Sequence, residues 1–215
     1  MILCLDASTD KTVIGLRLND DLTMEHVLTE RDRLAFTVAE LLDQWRVWKA
    51  ELRGIAVGIG PGSFTGLRVS LAFAKGFARG LAIPIYPISS LKVMAANYGG
   101  AKAQVAVISP ARRGEAHLAI FSTADLAPMQ PNRVVAHEQL PELIAPECAL
   151  TGPGLSKLGE ALRLQLADAI PSEAIPDYPQ VIHLGQLALN EWQDRTPPDI
   201  GIIVPDYGLD FPVKV

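Results

Sequence analysis

Cysteine is scarce in this chain of 215 residues: Cys4 and Cys148 are the whole complement, and each sits inside an apolar run, ILCL or ECAL. That excludes a disulfide-dense scaffold. It leaves two buried free thiols as the expectation, with a disulfide open because its geometry is invisible in sequence. Histidine is equally thin. His26, His117, His137 and His183 include no pair one helical turn apart and no second ligand at metal spacing, so no metal site is expected. Long hydrophobic runs are missing too. The longest apolar stretch is interrupted by Lys75, Arg79 and Pro84, which excludes a transmembrane span, and the opening MILCLDAS lacks the basic flank and apolar core of a signal peptide. A soluble cytoplasmic protein is the expectation. Excess positive charge is also absent. The net charge is −5, from 19 basic and 24 acidic side chains, which argues against this chain gripping nucleic acid without a basic partner.

What is present is a loop, GIGPGSFTGLR at 58–68, set between an apolar run and a long apolar stretch. A phosphate loop of the Walker type needs glycine and then lysine where Thr65, Gly66 and Leu67 stand. The dinucleotide fingerprint fails at Ser63 when counted from Gly58 and at Thr65 when counted from Gly60. A nucleophile elbow fails because Ser63 has Pro61 and Thr65 two residues away where glycines are required. Backbone chemistry remains. The glycines let N–H groups converge, and Ser63 or Thr65 can cap a following helix.

Along the chain, short apolar runs at Ile2–Leu5, Thr12–Leu18 and Met24–Thr29 read as an antiparallel meander. Leu34, Val38, Leu41, Leu42, Trp45 and Trp48 fall at helical spacing behind Asp32 as N-cap. Gly54–Ile59 reads as a buried strand, 66–82 as a helix, Ile85–Ile88 as a strand and Ser89–Tyr98 as a short helix. After the break Asn97-Tyr98-Gly99-Gly100 the order repeats. Strand–turn–strand occurs at 2–18 and again at 104–121; strand, Gly-Pro-Gly, helix occurs at 54–81 and again at 148–164. Such an echo matches the duplicated ribonuclease-H-like (ASKHA, actin-like ATPase) α/β fold. Residues 1–98 would form an N-terminal lobe and 99–215 a C-terminal one, with the turns at Asp6–Asp10 and Ser109–Gly114 facing a cleft.

The helix after the loop is apolar or small on two faces. Leu67, Leu71, Ala74 and Ala78 make one, and Val69, Phe73, Gly76 and Gly80 the other, leaving a narrow strip of Arg68, Lys75 and Arg79. Such a helix is either buried within its own domain or covered by another subunit. Periodicity does not choose between the two.

AVGIGPGSFTGLR (56–68), LAFAKGFARGLAIP (71–84), ISSL (88–91) and ARRGE (111–115) closely resemble the TsaB (YeaZ) family, and ILCLDASTD resembles its opening strand and turn. The likeness is strong over 54–92 and 104–115 and weak over 116–215. It implies an ASKHA-type fold with a reduced second lobe, and a non-catalytic scaffold in threonylcarbamoyladenosine formation on ANN-decoding tRNAs, a degenerate paralogue of TsaD. It implies pairing with TsaD through the N-terminal lobe, recruitment of TsaE, a homodimer through the same surface when alone, and contact with tRNA only through the complex. ATP and metal would be used by the partner subunits and no cofactor by this chain. The implied interface is Phe64, Leu67, Arg68, Val69, Phe73, Lys75, Gly76, Phe77 and Gly80. The vestigial cleft is Asp6, Ser8, Gly60, Gly62, Ser63, Thr65, Arg112 and Arg113.

Three departures from the family pattern stand out. Pro110 replaces the Asp that usually precedes Ala-Arg-Arg-Gly-Glu, and it supplies neither a carboxylate nor an N–H. Arg31-Asp32-Arg33-Leu34 stands near the family's Arg-x-His-Ser, and Tyr207-Gly208-Leu209 near its Tyr-Leu-Arg. Asp6, the one carboxylate at a phosphate position, reads either as a ligand for metal-bound water or as a turn residue bonded to its own backbone, the latter favoured beside Pro110. The alternative to a scaffold is a stand-alone ASKHA ATPase or phosphotransferase.

Overall fold

The structure is a computed structural model and describes residues 1–18, 23–29, 33–193 and 195–208. Its first sheet is built from β1 (Ile2–Asp6), β2 (Thr12–Arg17), β3 (Thr23–Leu28), β4 (Gly54–Gly58) and β5 (Ile85–Ile88), in the order β3-β2-β1-β4-β5. β1 runs antiparallel to β2, with Leu3 opposite Leu16, and parallel to β4, which runs parallel to β5. Because strand side chains alternate between faces, Leu3 and Leu5 point to one side, and Ile2 and Cys4 to the other. Both sides are apolar, so both need a cover.

One cover is α1 (Leu34–Gln44) and α2 (Phe64–Leu81), which bury Val38, Leu41, Leu71, Ala74 and Ala78 against Leu3, Leu5 and Ile55. Each buried leucine, isoleucine or valine among them contributes about 1.5–3 kcal/mol by leaving water, and each alanine less than about 1 kcal/mol. α1 stops four residues before its apolar spacing does. Arg46 takes a left-handed φ of 56°, Val47 N–H bonds Leu42 O at 2.9 Å and Arg46 N–H bonds Asp43 O at 2.9 Å, a Schellman ending without its usual glycine. Trp48 therefore lies outside the helix and is 79% exposed. The Asp32 cap lies outside the described residues.

The second sheet repeats the first. β6 (Gln104–Pro110), β7 (Glu115–Ser122), β8 (Pro128–Ala136) and β9 (Cys148–Thr151) stand in the order β8-β7-β6-β9, which is the order β3-β2-β1-β4 over again with no counterpart of β5 among the described residues. That bears out the duplicated α/β fold with a reduced second lobe. Its core gathers Ile108, Leu118, Ile120 and Leu150 under the short α4 (Leu140–Leu143) and α5 (Glu160–Gln165). The helix expected at 155–164 is broken: a 3₁₀ turn at Pro153–Lys157 gives way to extended Leu158, whose side chain is buried, before α5 begins. α3 (Ser90–Ala95) stands between the sheets and buries Leu91, Met94 and Ala95 against Val105, Val107 and Phe121.

The other face of the first sheet is covered from the far end of the sequence. α6 (Val181–Trp192) packs Leu184, Leu187 and Ala188 on Ile2, Cys4, Val13 and Ala56. Polar clamps hold it there. Buried Arg17 donates to Ile182 O at 3.2 Å and to Gln186, Glu25 accepts from Val181 N–H at 2.6 Å, and Lys92 pairs with Glu191 at 2.6 Å. Gly185 lets the helix approach, since a Cβ there would press into the Arg17 stem. Residues 99–215 are thus not spatially confined to the second sheet. Both cysteines are free and buried, and burial pushes the Cys4 thiol to about 12 and the Cys148 thiol to about 11. Among the described residues no helix is long and apolar enough to cross a membrane.

Candidate functional site: the cleft and the helix beside it

A cavity of about 540 Å³ opens between the two sheets. Its first-lobe wall is the β1–β2 turn and the β4–α2 loop; its second-lobe wall is the β6–β7 turn and the 3₁₀ turn at Pro153–Lys157. Four of the expected cleft residues line it: Ser8, Gly62, Ser63 and Arg112. The other four do not. Thr65 is exposed on the first turn of α2, Arg113 is exposed on the far side of its turn, and Asp6 and Gly60 lie beneath the wall.

Asp6 is 1% exposed and fully engaged with its own chain. One oxygen accepts Ser8 N–H at 2.7 Å; the other accepts the Ser90 hydroxyl at 2.6 Å. Ser90 Oγ in turn accepts Gly60 N–H at 3.0 Å, and Ser90 N–H bonds Gly60 O at 2.8 Å. Burial raises the Asp6 pKa while the Ser8 and Ser90 hydrogen bonds pull it down. The carboxylate is a turn residue that pins the next loop. Gly60 needs to be glycine there, because its φ is +105° and a Cβ would collide with the Asp206 carbonyl oxygen. The loop then passes a cis Gly60–Pro61 bond, ties Ser63 N–H to Ser8 O at 2.7 Å, and caps α2 with Ser63 Oγ accepting Gly66 N–H at 3.3 Å.

Charge in the cleft is mixed. Arg112 and Lys157 face Asp10, Glu115 and Asp177, the last paired with Lys11 at 2.6 Å. His117 is buried, and burial lowers its pKa against the pull of Asp206 and Glu115; its Nδ1 has no hydrogen-bond partner among the described residues. Pro110 closes β6 opposite Ala116. Among the described residues no three His, Cys, Asp or Glu side chains gather in a group that would hold a metal ion.

α2 divides in a way that periodicity left open. Leu67 is fully buried with Leu71, Ala74 and Ala78, so it belongs to the core and not to the expected interface. Val69, Phe73 and Phe77 are half-buried along one flank, the two rings stacked at 5.2 Å. The outward strip is Thr65, Ala72, Gly76 and Gly80, all exposed, and among the described residues a Cβ on either of those glycines would meet nothing within 4 Å. Phe64, Arg68 and Lys75 form the other flank, and the chain's own segment 199–208 engages them. Lys75 Nζ donates to Gly201 O at 3.4 Å, Arg68 Nε donates to Tyr207 Oη at 2.8 Å, and Phe64 lies 5.0 Å from the Tyr207 ring. The sequence marks Tyr207-Gly208 as a departure from the family pattern but gives segment 199–208 no place against α2. Its only local signal is the turn-forming Pro205-Asp206-Tyr207-Gly208. In the structure Ile203 is buried in the first core, Asp206 N–H bonds Ile59 O at 2.7 Å, and Gly208 rests against His117 and Asn132.

Residues 29–139 match the family model described as TsaD: tRNA N6-adenosine threonylcarbamoyltransferase. The tRNA threonylcarbamoyladenosine biosynthesis protein TsaB of Bacillus subtilis is 32% identical over 124 residues, 56% of this chain and 54% of that protein. Its namesake in Haemophilus influenzae is 35% identical over 97 residues, 44% and 41% of the two chains, and that of Escherichia coli 31% identical over 126 residues, 56% and 54%. The chain thus spans about half the length of the curated relatives it matches. The solved structure of YeaZ from Pseudomonas aeruginosa superimposes with a TM-score of 0.75 at 24% identity, covering 96% of this chain and 98% of that one, which shows the shared fold.

Proposed function

The chain belongs to the family that the TsaD model describes, on its TsaB (YeaZ) branch, and from that premise we propose that it is a non-catalytic scaffold in tRNA threonylcarbamoyladenosine formation. It pairs with TsaD through α2 and recruits TsaE, so that the threonylcarbamoyl group reaches the adenosine that follows the anticodon of ANN-decoding tRNAs. ATP, metal and tRNA are handled by the assembled complex in the cytoplasm. In the absence of TsaD the same strip pairs with a second copy.

The observation that carries this reading is the open strip of α2. A helix whose outward strip is Thr65, Ala72, Gly76 and Gly80 offers backbone-close approach to another helix, with exposed Phe64, Arg68 and Arg79 along its edge. Beside it, Asp6 is committed to Ser8 and Ser90 and Pro110 stands where the family usually has a carboxylate, which supports a structural use of the cleft walls. Co-expression with TsaD of the same organism, followed by gel filtration, tests the pairing. A co-eluting complex, together with loss of the modified nucleoside in cells lacking this chain, is expected. Separate elution with unaltered modification would discard the scaffold.

One observation favours a second reading, a stand-alone ASKHA ATPase or phosphotransferase. The cavity is large enough for a small ligand and is lined by Ser8, Ser63 and Arg112. Titration of the isolated chain with ATP and Mg²⁺ separates the two, because turnover would belong to the enzyme alone.

A further inference from the structure

Arg68 has an environment unlike that of the other cations of α2. It is exposed, yet its side chain is not free to wander. Its guanidinium carbon lies 3.8 Å from the Phe64 ring centroid and 5.8 Å from that of Tyr207, and its Nε donates to Tyr207 Oη at 2.8 Å. Tyr207 is itself held, since its neighbour Asp206 bonds Ile59 O and Gly208 N–H bonds Asp206 Oδ1 at 2.7 Å. The two terminal nitrogens of Arg68 have no hydrogen-bond partner among the described residues. A guanidinium braced by ring contacts and a bond at Nε, with its outer fork open, is pre-organised for a planar bidentate acceptor.

The charge of the helix adds a direction. FTGLRVSLAFAKGFARGL contains no acidic residue and carries Arg68, Lys75 and Arg79, in a chain whose net charge is −5. Lys75 is turned onto Gly201 O, which leaves Arg68 and Arg79 exposed along the edge of the small-residue strip. Two copies meeting strip to strip would bring the cations of both helices into one seam. A different protein with acidic side chains along the seam would neutralise them.

Resting on the pairing proposed above, we infer that Arg68 is the specificity-determining anchor of the α2 surface, and that it selects a TsaD-type partner carrying a carboxylate over a second copy of this chain. Tyr207 is the positioning residue that aims it. The seam is a protein contact and not a phosphate cradle, because Arg68 opens beside Ala72 and Gly76, which bring it no side-chain donor and whose backbone N–H groups lie mid-helix.

The test is the affinity of the purified full chain for TsaD of the same organism, at low and at high salt, set beside its own self-association. Arg68→Ala is expected to weaken pairing with TsaD by about tenfold or more and to flatten its salt dependence. Arg68→Lys should lose nearly as much, since lysine lacks the fork, and Tyr207→Phe roughly threefold to tenfold. Arg113→Ala, an exposed arginine away from α2, should change nothing. Unchanged melting of each variant establishes that folding is not the cause. Wild-type affinity in Arg68→Ala overturns the anchor while leaving the pairing standing, and wild-type affinity in Arg68→Lys or Tyr207→Phe overturns the aimed fork. Self-association tighter than pairing with TsaD overturns the selection of an acidic partner. ATP binding to the isolated chain that disappears in Arg68→Ala assigns the fork to phosphate and overturns the carboxylate. No complex at all with the wild-type chain overturns pairing and anchor together.

Discussion

Asp6 shows how little a residue type says before its neighbours are known. The same carboxylate could have faced the cleft; here both oxygens are spent on Ser8 N–H and the Ser90 hydroxyl, and through Ser90 on Gly60. Asp6→Ala leaves those donors without an acceptor in a buried place and is expected to cost about 2–4 kcal/mol in urea unfolding, whereas Ser90→Ala costs less because Asp6 keeps Ser8. His117 and His183 supply a pH dependence. Burial depresses both below the ordinary value of 6.5, so the folded state binds fewer protons than the unfolded chain just below that pH. Their contribution to stability is present in full above about pH 6.5 and is lost as pH falls toward the depressed values. The urea midpoint should therefore drop between about pH 7 and pH 5, and His117→Gln should flatten part of that drop.

At the scale of elements, α2 separates folding from pairing. Leu67→Ala removes a fully buried side chain and is expected to cost about 2–5 kcal/mol of stability. Gly76→Arg does the reverse. Among the described residues nothing lies within 4 Å of a Cβ added there, and replacing a mid-helix glycine favours the helix by up to about 1 kcal/mol. The variant should melt at or above the wild-type temperature and yet fail to pair in gel filtration. Phe77→Asp is a blunter probe, because Phe77 is half-buried against the first core and its loss touches both properties. Elements with a strong period were legible in sequence: β1, β2, β4, α2, β6 and β7 lie close to where apolar spacing places them. Apolar spacing through Trp48 overstates α1 because its ending rests on an arginine in a conformation that usually announces itself with glycine. The pattern predicts one continuous helix over 155–164 because the extended conformation of Leu158 leaves no mark in apolar spacing.

Across the whole molecule, the echo of strand order between the two sheets was readable, while the way their faces are closed was not. α6 and segment 199–208 reach back to elements more than 120 residues earlier, through Arg17 to Ile182, Lys75 to Gly201 and Tyr207 to Arg68. Arg17→Met should unseat α6 by leaving Gln186 and Ile182 O without their buried donor, at about 2–4 kcal/mol. Hydrogen exchange would show lost protection in α6 ahead of β6, β7 and β9; uniform loss over both sheets would contradict that order.

The amino-acid sequence by itself determined the strands and the long helix, the repeated lobe, and the failure of every phosphate-loop motif at 58–68, because periodicity, glycine and capping chemistry act over a few neighbouring residues. The tertiary structure alone decided that Asp6 turns inward, that Leu67 belongs to the core while Gly76 and Gly80 face out, and that Tyr207 braces Arg68. Each of these depends on which distant segment arrives alongside, and distance along the chain carries no record of that.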